Sequence, residues 1–203
     1  MNILKKNKFQ LKREATYANL IQAGIEVLCE RGYSASSIDD VVSRAGYTKG
    51  AFYVHFESKE QFFLHLMDQR TESRGSMMAA VSKARGESMT LHEAVSSVVK
   101  ASVAFVTQSP EWILVYMDFF IQSKQSELIQ AKYIELYENW IAEIKQLLEK
   151  LKENGQVSEE IDIESKSRML NAFWDGCIMH HVFYKEELDE QKITDAFVKL
   201  LRE

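Results

Sequence analysis

"SRAGYTKGAFYVHFESKEQFF", residues 43–63, decides the fold. Gly46 suits the end of a helix, and Thr48 is placed to N-cap another two residues later. Ser58 and Gln61 form the S-x-x-Q capping box of a further helix. The helix between them, from Thr48 to about His55, is short and held between two turns. Its faces sort by period. Phe52 and Phe56, at i and i+4, form a buried side, while Lys49 and Tyr53 share the opposite one. Gly50 and Ala51 carry almost no side chain, so the N-terminus of this helix can come close to a partner.

Working outward, "SSIDDVVSRAG" (36–46) predicts the preceding helix. Ser37 is its N-cap, Asp39 and Asp40 lie at the positive end of its dipole, and Ile38, Val41 and Val42 form its buried side. From Leu11 to Arg31 a first helix is expected to bury Ala18, Ile21, Ile25, Leu28 and Cys29. Gly32 stops it as a left-handed cap, with Tyr33 folded back. A helix, a turn of about three residues at Gly46 and a second short helix is the spacing of a helix-turn-helix, whose second helix enters the major groove of DNA. On that reading Lys49 donates to guanine O6 and N7, while Tyr53 and His55 suit phosphate oxygens.

Composition limits the alternatives. The chain has 203 residues, 46% hydrophobic, with one proline and eight glycines, too little turn chemistry for a hairpin-rich fold. No apolar run reaches the ~18 residues of a membrane span, and "MNILKKNKFQLKRE" lacks the apolar core of a signal peptide. Cys29 and Cys177 offer neither a disulfide framework nor a CxxC motif. An all-α, cytoplasmic protein with no membrane contact is expected. The net charge of −5 is uneven. Residues 1–65 hold nine Lys/Arg against seven Asp/Glu, and five of the nine (Lys5, Lys6, Lys8, Lys12, Arg13) precede residue 14. A basic arm on an acidic chain points to a polyanion.

The residues of this segment also carry a resemblance. "LIQAGIEVLCERGYSASSIDDVVSRAGYTKGAFYVHFESKEQFF", 20–63, resembles the DNA-binding domain of TetR-type bacterial transcriptional repressors. The likeness lies in the E-R-G-Y helix end, the S-S-I helix start, the A-G-x-T-K-G turn, the F-Y-x-H-F helix and the S-K-E-x-F start. The resemblance implies that Lys49, Gly50 and Ala51 lie over base edges, and that Ser37, Thr48, Tyr53, His55 and Lys59 hold phosphates. Tyr47 and Val54 depart from the family's usual small aliphatic and aromatic residues.

Beyond residue 63 the helix punctuation continues. Helix four runs on through Gly75, Gly86 breaks the chain, and Thr90 opens a capping box with Glu93. Ser109-Pro110, Ser126, Asp162 and Asp189 start four more helices. About nine helices are expected: a basic N-terminal arm (1–13), a helix-turn-helix DNA-binding domain (14–63), and a ligand-binding and dimerisation domain (64–203). "EWILVYMDFFIQ", 111–122, is apolar nearly all round, as at the centre of a bundle. Asp118 there is read either as a pocket carboxylate or as part of a solvated stripe with Glu111, Gln122 and Gln125. Tyr116, Met117, Phe120, Tyr137, Trp140 and Trp174 are candidate pocket residues for a small apolar or cationic effector. Leu170, Phe173, Cys177, His181, Ile193, Phe197 and Leu200 on the last two helices are the candidate interface of a homodimer, which the resemblance also implies.

The expected partners are double-stranded operator DNA, a second copy of the chain and the effector, with no cofactor. Cys177 and His181, at i and i+4, lack further ligands, so no metal site is expected. No nucleophile, phosphate-loop or zinc-protease motif is present, which speaks against an all-α enzyme. A DNA-bound interaction or nucleoid-associated protein that senses no ligand stays open as an alternative to an effector-released repressor.

Overall fold

The computed structural model describes residues 7–84 and 89–203. Lys5 and Lys6 of the basic arm, and Gly86, lie outside them. Nine α-helices and no strands occur among the described residues: α1 (Lys8–Ala35), α2 (Ile38–Ala45), α3 (Lys49–Tyr53), α4 (Lys59–Ala84), α5 (Leu91–Thr107), α6 (Glu111–Gln122), α7 (Glu127–Glu153), α8 (Ile163–Tyr184) and α9 (Glu190–Arg202). None of them is long and apolar enough to cross a membrane. The chain divides into two compact units: one of residues up to Thr71 with Leu114–Gln130, the other of Glu72–Ile113 with Ala131–Glu203.

In the first unit, α1 begins earlier than its apolar pattern indicates. Asn7 accepts from the Gln10 amide while the Gln10 side chain accepts from the Asn7 amide, a capping box that draws Lys8, Lys12 and Arg13 into the helix. Its buried face is Thr16, Leu20, Ala23, Gly24, Val27 and Leu28, rotated from the expected one; Ala18 is exposed and Ile21, Ile25 and Cys29 are only half-buried. The small residues Ala23 and Gly24 set that face, because Phe62 of α4 lies where a side chain at residue 24 would be. The helix breaks at Gly32, whose φ of 71° and ψ of 173° place it in a glycine-only region rather than the left-handed cap the sequence led us to expect.

The core of this unit is aromatic. Phe52, Phe56, Phe62, Phe63 and Phe119 are all nearly fully buried. Phe56 and Phe62 meet edge to face at 4.7 Å between centroids, and Phe63 and Phe119 at 5.3 Å. Burying one such ring contributes roughly 1.5–3 kcal/mol. Phe119 thus places the later part of α6, from Leu114 on, in the first unit.

The second unit closes on a different core. Val95, Val99 and Val103 of α5 pack with Leu148 and Leu151 of α7, Leu170 of α8, and Ile193, Val198 and Leu201 of α9. Thr90, Asp162 and Asp189 cap the helices that the sequence assigns to them. Helix α4 passes through Gly75 without a break.

Candidate nucleic-acid interface

The sequence builds a rigid mount for α3. Ser37 accepts from the Asp40 amide at 3.1 Å, and the Asp40 carboxylate accepts from the Ser37 amide at 2.9 Å. Hydrogen bonds from Ser37 hold that carboxyl below the usual aspartate range, with Arg31 adding charge. Arg44 binds Glu30 through both terminal guanidinium nitrogens at 2.5 and 2.6 Å, fixing the end of α2 to α1. Gly46 takes the left-handed conformation (φ 74°, ψ 31°) that the turn requires. Tyr47 donates its amide to the Val42 carbonyl at 2.8 Å. Its hydroxyl accepts from Asn19 at 3.1 Å, so the residue that departs from the family pattern ties the turn to α1.

Thr48 accepts from the Ala51 amide at 3.3 Å and starts α3, which buries Phe52 completely. Opposite Phe52, Lys49 and Gly50 are exposed, and Tyr53 and Val54 are 55% and 60% exposed. A Cβ at Gly50 would meet nothing closer than the Thr48 hydroxyl at 3.7 Å, so internal packing does not demand a glycine there. Lys49 pairs with Asp39 of α2 at 2.8 Å, and that hydrogen bond raises the lysine's pKa. Both groups lie in solvent, where such a pair is easily exchanged for another acceptor.

Two phosphate candidates are also engaged inside the unit. His55 packs against Tyr17 at 5.7 Å, and burial followed by the charge of Arg13 pushes its pKa down. The shift favours the neutral ring, which still offers one N–H donor. Lys59 donates to the carbonyls of Tyr33 at 2.6 Å and Ser36 at 2.8 Å and lies over the Tyr33 ring, with burial lowering its pKa. Two of its three N–H groups are therefore committed to the α1–α2 connection, leaving one for a phosphate.

The sequence reading missed the other half of this clasp. The Asp118 carboxylate of α6 accepts from the Tyr33 amide directly after Gly32, and Gln122 bonds Ser34 at 3.0 Å and Asp118 at 3.1 Å. Asp118 is half-buried and its two carboxylate oxygens accept from Tyr33 and Gln122, while Gln122 is 5% exposed. A carboxylate seven residues after Glu111 could not reveal that its partner is a backbone amide 85 positions earlier. Asp118→Ala should leave that amide without its acceptor and destabilise the unit by about 1–3 kcal/mol. Urea unfolding followed by circular dichroism measures this; a change within 0.5 kcal/mol would show that the clasp contributes nothing.

In the second unit, α4, α5, α7, α8 and α9 enclose a cavity of about 60 Å³, with the volume of about four waters at ~15 Å³ each. Of the expected pocket residues, Trp174 lines it. Tyr116, Met117 and Phe120 belong to the first unit, and Tyr137 and Trp140, tilted at 45° with centroids 5.1 Å apart on α7, lie outside the cavity lining. Arg74, Glu143 and Asn171 form its polar end, and Arg74 pairs with Glu143. Behind Asn171, Asp175 accepts from Asn171 at 3.2 Å and from the Tyr137 hydroxyl at 3.2 Å. Burial pushes this carboxyl up to about 6, against the pull of Tyr137 and Arg74. Among the described residues no group of three His, Cys, Asp or Glu side chains is arranged to hold a metal.

The sign of the Asp175 shift fixes a pH effect. Between roughly pH 4 and pH 6 the folded chain holds a proton that the unfolded chain has lost, so this group's contribution to stability falls as pH rises through that window and is level above it. Asp175→Asn should therefore gain on the unaltered protein by up to about 3 kcal/mol between pH 4 and pH 7. Thermal melts of both proteins at each pH test this; a constant difference would contradict it.

An all-α chain with a capped, two-turn mount for a short exposed helix is a helix-turn-helix DNA-binding protein. A family model for bacterial regulatory proteins of the tetR family matches residues 20–66, and one for the C-terminal part of BetI-type transcriptional repressors matches 91–202. An uncharacterized HTH-type transcriptional regulator of Bacillus subtilis, YwcC, is 34% identical over 95% of this chain and 88% of its own. The transcriptional regulator FadR of B. subtilis, solved with stearoyl-CoA, superposes with a TM-score of 0.75 at 19% identity, covering 91% of this chain and 97% of that one. A putative regulator of Saccharomonospora viridis, solved with choline, gives 0.76 at 17% identity over 92% and 94%. The chain belongs to the TetR family and is a DNA-binding transcriptional regulator.

Proposed function

We propose that the chain is a homodimeric repressor that reads a two-fold operator through α3 and leaves it when a small molecule occupies the second unit. The observation that carries the reading is the outward face of α3. Lys49, Gly50 and Tyr53 are presented to solvent on a helix whose other side is anchored by the fully buried Phe52. In this reading Lys49 exchanges Asp39 for a base edge, while Gly50 and Ala51 let the helix approach. Ser37, Thr48, Tyr53, His55 and the remaining Lys59 donor contact phosphates. FadR and the S. viridis regulator hold stearoyl-CoA and choline on a similar fold, which supports effector binding here without naming the effector.

Operator selection from a random DNA pool, followed by gel shifts, tests the reading. Lys49→Ala should cost roughly 10-fold or more against the selected base at one position and relax preference there. An equal loss on every sequence would make Lys49 a phosphate contact instead.

The dimer surface must differ in part from the expected set. Leu170 and Ile193 are 5% and 6% exposed inside the protomer's own core, and Cys177, Phe197 and Leu200 pack partly against it. Phe173 is 39% exposed, and His181, half-buried, is bonded through Nδ1 to the Glu186 carbonyl. The apolar side of α8 is wide enough to bury one stripe internally and present another. The outer stripe of Met169, Phe173, Gly176, His180 and Phe183, at i, i+4, i+7, i+11 and i+14, is the surface we assign to the partner.

A further inference from the structure

Tyr47 stands in the turn between α2 and α3 with one polar function that the fold does not use. Its amide is bound to the Val42 carbonyl at 2.8 Å, and its hydroxyl accepts from the Asn19 side-chain amide of α1 at 3.1 Å. A phenol also has a proton to give, and among the described residues no group accepts it. Tyr47 is half-buried and Asn19 is exposed, so the hydroxyl is held in a fixed place at the surface. In a helix-turn-helix the N-terminal residues of the second helix reach base edges while the first helix crosses the backbone, so the turn joining them lies at the rim of the groove, beside phosphates. Thr48 and Lys49, the next two residues, are both exposed. On α1, Lys8, Lys12, Ala15 and Asn19 fall at i, i+4, i+7 and i+11 and are all exposed. That face carries two lysines, and no acid at these four positions, toward the Asn19–Tyr47 pair. The small aliphatic residue usual at this place in the family has no such donor.

We propose that the Tyr47 hydroxyl donates to a phosphate oxygen of the operator backbone beside the base pairs that α3 reads, with Asn19 as the residue that positions it. The inference rests on α3 being the reading helix and adds a backbone contact at its leading edge. A phosphate oxygen accepts only and is charged, and a hydrogen bond to a charged acceptor is the stronger kind. Accepting from Asn19 fixes the phenol oxygen and polarises its O–H bond, which strengthens the bond it donates. A base edge fits less well, because the hydroxyl is tied to α1 rather than carried on the outer face of α3 with Lys49 and Tyr53. The donor is neutral, so the contact adds affinity on every sequence alike and releases no further counterion.

Gel shifts of the full chain on the selected operator, repeated with single phosphates replaced by uncharged methylphosphonates, test the assignment. Tyr47→Phe keeps the ring and removes the donor. It should lower affinity about ten-fold on all sequences, with base preference and the slope of affinity against salt unchanged. At one phosphate of each half-site the losses from Tyr47→Phe and from the methylphosphonate should fail to add, because both remove the same hydrogen bond. Asn19→Asp should cost more than Asn19→Ala, because a carboxylate takes the Tyr47 proton for itself and repels the phosphate. Losses that add at every phosphate would show that the pair only braces the turn, and would overturn the proposal. Unchanged affinity or a changed base preference in Tyr47→Phe would also overturn it, as would Asn19→Asp binding as well as Asn19→Ala. Lys49→Ala measured alongside separates this contact from the reading of α3. Relaxed base preference in Lys49→Ala with full affinity in Tyr47→Phe overturns the Tyr47 contact alone. Unaltered binding and preference in both variants overturns α3 as the reading helix as well.

Discussion

Gly24→Ala should destabilise the DNA-reading unit by about 1–3 kcal/mol, the cost of inserting a methyl group into a filled core. At an exposed helix interior the same change gains up to about 1 kcal/mol, because alanine is the better helix former. The sign reverses here because a Cβ on Gly24 would lie 2.3 Å from the Phe62 ring and 3.4 Å from Leu66. The ring has no easy retreat. It is 3% exposed, with Phe52 at 5.2 Å and Phe56 at 4.7 Å between centroids. Phe52 is also the anchor of α3, so strain at residue 24 passes to the reading helix, and operator affinity should fall with stability. Adding Phe62→Leu to Gly24→Ala should recover part of the loss, since the smaller side chain vacates the ring edge. Urea unfolding of the two single variants and the double variant gives the coupling between the sites. Increased stability in Gly24→Ala would mean that Phe62 is not fixed where the packing places it.

Gly24 also shows where the sequence stopped being readable. Helix ends were legible because their chemistry is local: Ser37 with Asp40, the left-handed Gly46, Thr48, Thr90 with Glu93, Asp162 and Asp189 all cap helices within four residues of themselves. Which side of a helix faces inward is not local when small residues share it. The inner face of α1 includes Ala23 and Gly24, which an apolar count passes over in favour of Ile21 and Ile25. Asp118 and Lys59 have the same lesson in polar form. Their partners are the amide of Tyr33 and the carbonyls of Tyr33 and Ser36, and backbone groups carry no signature in a side-chain pattern. The cavity was the least legible feature. Its walls come from five helices, and of the six residues expected to line a pocket only Trp174 reaches it.

Arginines at Met169 and Phe183 together should convert the protein to monomers and lower operator affinity by at least about 100-fold. The two side chains are 46% and 68% exposed in the protomer, so neither supports its core. Between them on the outer stripe of α8 lie Phe173 and Gly176, and a Cβ at Gly176 would meet nothing within 4 Å, which leaves room for a partner helix to approach. A two-fold axis through this stripe sets each added charge near its own copy, where like charges in a desolvated contact oppose association. Helix content should be retained, because the inward stripe of Leu170, Asn171 and Ser167 is untouched. The loss in DNA affinity follows from geometry. One α3 of five residues reads few base pairs, whereas a dimer engages two half-sites and gains the second by proximity, an advantage of about 100- to 10,000-fold. Light scattering and gel shifts on the selected operator read both effects. A double variant that stays dimeric would move the interface off α8. A monomeric parent protein that still binds its operator tightly would remove the need for a dimer altogether.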